Sequence, residues 1–261
     1  MRIGVFDSGF GGLAVLRDLV RQFPSHDFVY LGDTARAPYG NRSTEAVQHY
    51  TYQAIRFLRS QQCEMIVIAC NTASAIALDD ARHHFPDTVI EGVSVPLAMA
   101  AVRSGAQRVG VLATTATVRS GVFPRNIAKE RASIHVVQNA CPMWVPLVEN
   151  GETQTEIVHI YTARYVAPLI AARVDTVILG CTHYELLFDS IAAAMPANVH
   201  FIRTGAVMAK HLQQIIGPTT STTPRTAQRR FFTTDSVNDF QRMGSLFYRS
   251  PIVPSYVRID I

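Results

Sequence analysis

Two cysteines each end a short apolar segment and are each followed by side chains that form hydrogen bonds. The first segment reads MIVIACNT and contains Cys70, and the second reads TVILGCTH and contains Cys181. Two thiols in matching positions on separate strand–loop units can face each other across a cleft, one acting as a base and the other as an acid. Such a pair suits a reaction whose product is the mirror image of its substrate at one carbon. The leading hypothesis is therefore racemisation.

Both cysteines immediately precede a predicted helix. A free thiol has a pKa of about 8.5, and the N-terminus of a helix lowers that pKa by favouring the thiolate. We therefore expect both thiols to transfer protons near neutral pH. The other two cysteines, Cys63 and Cys141, lack such neighbours, and we interpret them as buried structural residues.

Cofactors and metals are not expected. Pyridoxal phosphate, the usual electron sink for removal of an α-proton, needs a Schiff-base lysine. The chain has two lysines, Lys129 and Lys210, and both fall in predicted helices away from the strand ends. The four cysteines form no C-x-x-C pair and show no zinc-type spacing, so no metal site is expected either.

Short apolar runs alternate with longer helical stretches along the chain. This order predicts an α/β protein with two similar lobes, each a mostly parallel sheet flanked by helices. We expect the first domain to comprise residues 1–95 plus 206–261, on the Cys70 side, and the second to comprise 96–205, on the Cys181 side. Ligands of such sheets bind beyond the carboxyl ends of the strands, so the active site is expected in the cleft between the lobes.

Some local elements carry specific signals. Helices are predicted over Val118–Glu130 and Thr153–Ala172, the second with a capping box from Thr153 to Glu156. Residues 217–225 resemble a linker, because they are rich in Pro, Ser and Thr. After them, a short apolar strand and a helix carrying Phe240 and Phe247 are expected to pack on the first lobe.

The overall composition indicates a packed globular protein, with 48% hydrophobic and 17% charged residues among 261. The net charge of +4 is mild for this length. Arg225, Arg229 and Arg230 beside two phenylalanines form the one patch that suggests nucleic-acid binding. Three arginines beside a Pro-rich linker are more often a solvated surface, so nucleic acid is not the expected partner.

The N-terminus enters a strand at once and lacks the features of a signal peptide. No run of 18 apolar residues is present to span a bilayer. Reduced thiols and the absence of these signals lead us to expect a cytoplasmic protein without a membrane partner.

The first loop, DSGFGG, opens a helix and has glycines that expose backbone N–H groups to an anion. It also fits the G-x-G-x-x-A dinucleotide pattern through Gly9, Gly11 and Ala14, with Asp33 at a suitable distance. A dinucleotide-dependent oxidoreductase therefore stays open as an alternative. Against it, Asp7 lies where it would repel a pyrophosphate.

Five motifs resemble those of the glutamate racemase family, within the cofactor-independent aspartate/glutamate racemase superfamily. They are DSGFGGL from residue 7, YLGDTARAPYG from 30, ACNTASA from 69, PLVE from 146 and LGCTHY from 179. They follow the order of that family, and the resemblance covers nearly the whole chain, from residue 3 to 232. Together the motifs are very specific, although none would suffice alone.

The resemblance implies a role for each matching position. Cys70 corresponds to the base for D-glutamate and Cys181 to the base for L-glutamate. Asp7 and His183 match assisting acid–base residues, and Glu149 matches a third carboxylate near the site. The matching substrate-binding positions are Asp7, Ser8, Tyr39, Gly40, Asn71, Thr72, Thr182 and His183.

The implied function is racemisation of L-glutamate to D-glutamate for peptidoglycan synthesis, with no cofactor and with glutamate as the small-molecule partner. A racemase for aspartate or another acidic amino acid stays open, and a homodimer is allowed but not decided. Three positions depart from the family pattern. Glu185 stands where Pro is usual, Arg203 lies in place of an Asp-containing stretch, and Pro96 lacks the Gly that usually follows it.

Overall fold

The computed structural model describes residues 1–217 and 227–259. In these residues the strands are β1 (Arg2–Asp7), β2 (Asp27–Gly32), β3 (Met65–Ile68), β4 (Val89–Gly92), β5 (Arg108–Ala113), β6 (His135–Ala140), β7 (Thr176–Gly180), β8 (His200–Ile202), β9 (Arg229–Thr233) and β10 (Pro254–Tyr256). The helices are α1 (Gly12–Gln22), α2 (Thr44–Ser60), α3 (Asn71–His84), α4 (Ser94–Arg103), α5 (Thr115–Ser120), α6 (Val122–Glu130), α7 (Trp144–Glu149), α8 (Glu156–Ala171), α9 (Phe188–Ala193), α10 (Thr204–Ile216) and α11 (Val237–Tyr248). Short 3-10 helices span Thr34–Arg36, Tyr39–Asn41 and Thr182–Glu185.

The strands form two parallel sheets. The first has the order β10-β9-β2-β1-β3-β4 and the second the order β6-β5-β7-β8. The segment β2-β1-β3-β4 of the first sheet has the same order as the whole second sheet, so β3 and β7 occupy equivalent positions. The predicted α/β fold with two similar parallel sheets is confirmed.

Both faces of the first sheet are buried. Along β1, Val5 belongs to one apolar cluster and Phe6 to another, because successive side chains point to opposite faces of a strand. The larger cluster continues from Val5 to Val109 and Val177 of the second sheet. An apolar cluster shared by the two sheets fixes their relative position. The division of the chain at residues 95 and 205 stays a prediction.

The tail packs on the first sheet as predicted. β9 pairs in parallel with β2, and α11 packs against α1 and buries Phe240 and Phe247. After Gly217, the predicted linker over 217–225 lies outside the described residues. The same holds for Arg225 of the suggested basic patch.

Two local predictions were wrong, and α4 was missed. The helix predicted over Val118–Glu130 is divided into α5 and α6, because Gly121 adopts the left-handed conformation with φ of 63° and ends α5. The capping box at Thr153 does not form: α8 begins at Glu156, and its N-cap residue makes no side-chain hydrogen bond. The helix α4 was not predicted. It is apolar on all sides, and Pro96 fits in its first turn, where an N–H group would lack a partner anyway.

Among the described residues, no helix is both long enough and apolar enough to cross a bilayer.

Candidate active site

The two cysteines meet in one cavity between the sheets. Cys70 follows β3 and is the N-cap residue of α3, and Cys181 follows β7 directly before the 3-10 helix Thr182–Glu185. Parallel strands in equivalent positions place both thiols at carboxyl ends of their sheets. The residues lining the cavity are Ser8, Pro38, Tyr39, Gly40, Cys70, Asn71, Thr72, Thr114, Val145, Glu149, Cys181, Thr182 and His183. Every site residue predicted from the sequence lies here except Asp7, which is fully buried and contacts Thr182 of this lining.

The cavity is narrow. Its volume is about 20 Å³, whereas one water needs about 10–15 Å³ on this measure. An amino acid with two carboxylates is several times larger than this space. The walls must therefore separate before a substrate of that size enters.

Asp7 joins the two halves of the site. Its Oδ2 accepts a hydrogen bond from the backbone N–H of Gly9 at 3.0 Å, and its Oδ1 accepts one from the Thr182 hydroxyl at 3.3 Å. Complete burial raises the pKa of the Asp7 carboxyl above its ordinary value, against the opposing influence of His183. The N–H group of Gly9, in the same loop, is therefore already bound to Asp7. This turn is not arranged to bind a pyrophosphate.

Cys70 is held in an environment that favours the thiol. Its sulfur lies 3.5 Å from the Ser8 hydroxyl oxygen, to which it donates. Burial, followed by the nearby Asp7 carboxyl, raises the pKa of Cys70 to about 12. The expectation that the helix N-terminus brings the pKa of this thiol near neutral is wrong, because burial outweighs the favourable position at α3.

Cys181 lies beside a histidine instead of a carboxylate. Its sulfur is 4.0 Å from Nδ1 of His183, and Nε2 of the same ring lies 2.9 Å from Oε1 of Glu149. Burial lowers the pKa of His183, but the contacts with Cys181 and Glu149 outweigh it and raise the pKa to about 10. The ring is therefore protonated at neutral pH, and the two thiols have opposite electrostatic environments.

Asn71 carries an unsatisfied amide in the cavity wall. The residue is 2% exposed, and neither its side-chain nitrogen nor its oxygen has a hydrogen-bond partner among the described residues. An unpaired buried polar group costs about 1–3 kcal/mol. An amide in that state, facing the cavity, is suited to a polar ligand.

Three threonine hydroxyls form a cluster next to this amide. Thr72 Oγ1 lies 2.9 Å from Thr114 Oγ1 and 3.2 Å from Thr117 Oγ1. Sequence reasoning missed Thr114, and it also missed Val145, which lines the cavity as well. The equivalence of the two sheets offered a signal for Thr114, since it follows β5 as Ser8 follows β1.

Tyr39 lines the cavity and also belongs to a second hydrogen-bond network. Its hydroxyl donates to Asp33, a fully buried carboxylate that also accepts from Arg36 at 2.7 Å and Thr234 at 2.9 Å. The Tyr39 hydroxyl is thus engaged, which leaves its ring and the adjacent backbone at the cavity. Because Asp33 is enclosed, it is not placed to bind the ribose of a dinucleotide.

Comparisons with known proteins agree with this geometry. Residues 3–212 match the family model described as Asp/Glu/Hydantoin racemase. A glutamate racemase of Lactococcus lactis subsp. lactis is 39% identical over 245 residues, covering 93% of this chain and 90% of the relative. The crystal structure of Francisella tularensis glutamate racemase with D-glutamate has a TM-score of 0.92 at 32% identity, covering 99% and 98% of the two chains. Glutamate racemase isoform RacE1 of Bacillus anthracis has a TM-score of 0.93 at 32% identity, with the same coverage.

Proposed function

The chain belongs to the Asp/Glu/Hydantoin racemase family, and from this membership we propose that it is a glutamate racemase that works with two thiol groups and no cofactor. The observation that carries the mechanism is the position of Cys70 and Cys181, at equivalent strand ends and in one cavity. The choice of glutamate is supported by relatives of that name that match nearly the full length of the chain.

The resting protonation of the site favours one direction of proton transfer. The protonated His183 places a positive charge beside the Cys181 sulfur, and the raised pKa of Cys70 keeps the Cys70 sulfur as a thiol. When L-glutamate enters, the Cys181 thiolate removes the α-proton and forms an S–H bond. The Cys70 thiol then gives its proton to the opposite face of the carbon, which yields D-glutamate and a Cys70 thiolate. D-glutamate reacts from that second state in reverse.

Asp7 and Glu149 assist through their neighbours. Asp7 raises the pKa of Cys70, so its negative charge keeps that sulfur protonated before the reaction and makes the Cys70 thiolate formed afterwards a stronger base for D-glutamate. Glu149 accepts a hydrogen bond from the protonated Nε2 of His183 and thereby stabilises the imidazolium. Cys70 therefore lies beside a carboxyl group that favours its thiol form, and Cys181 lies beside an imidazolium.

The remaining lining residues hold the substrate. The Asn71 amide, the Ser8 and Thr182 hydroxyls and the Thr72–Thr114 pair supply hydrogen-bond donors for two carboxylates. Donors aimed at the α-carboxylate stabilise the charge that develops when the α-proton leaves. Tyr39 and Gly40 contribute through the adjacent backbone.

Both lysines lie away from this cavity, Lys129 in α6 and Lys210 in α10. A Schiff base would therefore find no amine among the lining residues, which supports a reaction carried by the thiols.

The test is incubation of the purified chain with L-glutamate in the absence of added cofactor, followed by chiral chromatography. We expect a racemic mixture, with L-aspartate and other acidic amino acids converted at least tenfold more slowly. Faster conversion of aspartate would assign a different substrate. Failure to convert any acidic amino acid would remove the proposed function altogether.

We place this activity in the cytoplasm, where D-glutamate would enter peptidoglycan synthesis. The four cysteines are free thiols, a state that reducing compartments preserve. Fractionation of cells with an antibody to the chain tests this location.

We further propose a homodimer formed by antiparallel packing of α8 against its copy. Ile157, Ile160 and Ile170 are 42%, 57% and 41% exposed on the outer side of this helix. Between Ile160 and Ile170 the exposed residues are Ala163, Arg164, Ala167 and Pro168, and the two alanines allow a close approach of the helices. Glu156 begins the helix and Arg173 follows it, so a two-fold axis brings opposite charges together.

Sedimentation velocity tests the dimer. We expect Ile160→Lys to sediment as a monomer at concentrations where the wild type is dimeric. The control is Ile215→Lys on α10, where the isoleucine is 43% exposed, and it is expected to leave the dimer intact. A monomeric wild type, or an unchanged Ile160→Lys, contradicts the proposal.

A further inference from the structure

Glu185, one of the departures from the family pattern, lies at the end of the 3-10 helix that carries His183. Its side chain is 13% exposed and accepts from Arg17 Nη2 at 3.3 Å and from Arg203 Nε at 3.1 Å. Two departures, Glu185 and Arg203, are thus ion-pair partners. With Asp18, which pairs with Arg17 at 3.1 Å, the cluster has no net charge. The carboxylate of Glu185 therefore adds little electric field at Cys181. Its role follows instead from its contacts with Arg17 and Arg203.

Arg17 connects this carboxylate to the tail. The guanidinium is 9% exposed, and its Nη1 donates to the backbone carbonyl of Phe247 at 3.3 Å. The ring of Phe247 packs edge-on against the imidazole of His183, with 5.4 Å between their centroids. The buried guanidinium of Arg17 thus binds Glu185, two positions after His183. It also binds the backbone of Phe247, whose ring packs against His183.

Arg17 lies in the middle of α1, and the N-cap residue of this helix, Gly11, contacts the start of the 3-10 helix. Gly11 lies so close that a Cβ atom there would be 2.3 Å from Thr182 Oγ1 and 2.9 Å from His183 Nδ1. From Gly11 to Arg17 a helix advances about 9 Å, while a four-residue 3-10 helix is about 8 Å long. α1 therefore contacts the 3-10 helix at its beginning and at its end.

We propose that Arg17 and Glu185 are positioning residues, which fix the imidazole of His183 between Cys181 and Glu149 by clamping the 3-10 helix to α1 and α11. The inference rests on the proposed racemase function for its kinetic consequence. Arg17 and Glu185 touch neither the cavity nor the reacting atoms. Their loss is expected to misplace the proton-transfer geometry and to leave substrate binding largely intact.

The kinetic test compares Arg17→Met and Glu185→Gln with a matched control, Arg203→Met. Arg203 pairs with the same carboxylate from the solvent side and is 37% exposed, but no hydrogen bond links it to α1 or α11. We expect Arg17→Met to lower kcat about 10- to 100-fold with KM within about threefold, since an error near 1 Å costs up to about 10²-fold. Glu185→Gln, whose amide oxygen still accepts, is expected to fall between this variant and the control. Arg17→Lys, which keeps the charge, should recover part of the loss.

A second readout follows the imidazole itself by ¹⁵N NMR. The groups facing His183 are Cys181, Glu149, Asp7 and the ring of Phe247, with Arg17 and Glu185 behind them. Arg17→Met and Glu185→Gln are each expected to loosen the contacts with Cys181 and Glu149 that raise the pKa of this histidine, so both variants should lower that pKa. A lowered pKa in both variants, together with the kcat loss, supports the clamp, whereas opposite shifts would indicate altered charge around an unmoved ring and contradict it. A purely structural role would lower the amount of folded protein and leave both titrations unchanged.

The two proposals fail separately. An inactive wild type removes the racemase assignment, while the titrations of His183 still decide the clamp. Arg17→Met with wild-type kcat and an unshifted His183 signal overturns the clamp and leaves the racemase assignment intact. If Arg17→Met does not fold, as seen from the fluorescence of the single tryptophan, Trp144, Glu185→Gln carries the same decision.

Discussion

Replacing Gly11 with alanine adds one methyl group at the point where α1 meets the Cys181 loop. Gly11 has helical backbone angles, with φ of −61° and ψ of −34°, so alanine adopts this conformation without strain. The added Cβ would lie 2.3 Å from Thr182 Oγ1 and 2.9 Å from His183 Nδ1. The substitution therefore tests side-chain position alone.

The size of the effect follows from these distances. Ordinary van der Waals contact begins near 3.4 Å, so Thr182 must move by roughly 1 Å and His183 must move with it. A misplacement of about 1 Å at a reacting centre costs about 10²-fold in rate. Forcing one carbon into a packed site costs about 1–3 kcal/mol of stability. We expect kcat of Gly11→Ala to fall about 100-fold and its free energy of unfolding to fall by that amount.

Racemisation of L-glutamate followed by circular dichroism measures the rate, and urea unfolding measures the stability. Gly9→Ala in the same loop is the control, because the nearest atom to its Cβ, Oε1 of Glu149, is 3.8 Å away. We expect this control to keep its kcat within about threefold, since a contact at that distance needs no displacement. Wild-type kcat in Gly11→Ala, or equal losses in both variants, would refute the close packing of α1 on the histidine.

Three other substitutions or treatments give measurable outcomes. Glu149→Gln removes a contact that raises the pKa of His183 to about 10, so the alkaline limb of kcat/KM is expected to move to lower pH. Because the folded-state pKa of His183 is raised, its stabilising contribution is present below pH 6.5 and is lost as pH rises towards 10; urea titrations should show a smaller loss in Glu149→Gln. Asn71→Leu replaces an unpaired buried amide with a similar volume, so the free energy of unfolding is expected to rise by about 1 kcal/mol while KM for glutamate rises at least tenfold. Iodoacetamide should alkylate Cys70 more slowly than Cys181 at pH 8, because the pKa of Cys70 is raised to about 12. Mass spectrometry of the peptides measures which cysteine reacts first. The same measurement with D-glutamate present shows whether the ligand protects them.

The location of the site was predictable from local sequence. Apolar segments of strand length ending in Cys70 and Cys181 placed both thiols at strand ends, and parallel strands bring such ends to one edge. The duplication of the two halves followed from the repeated order of elements. Membership of a known family gave the residue-by-residue assignments, which the arrangement around the cavity accommodates.

Other features depend on tertiary contacts that no local pattern carries. The pKa of Cys70 is set by closure of the site around it, which overrides its position at a helix N-terminus. One of the two arginines that pair with Glu185 is Arg17, 168 positions earlier in the chain. The helix α4 has no amphipathic period to reveal it, since it is enclosed by α6, α10 and the second sheet.

The most direct test of two opposed thiols is exchange of the α-hydrogen in D₂O by single-cysteine variants. With one base removed, the other can still take a proton from its own face and return deuterium to the same face. We expect Cys181→Ala to label D-glutamate only, Cys70→Ala to label L-glutamate only, and neither variant to racemise its substrate. Labelling of both enantiomers by either variant, or racemisation that persists, would contradict the assignment of one sulfur to each face of the substrate.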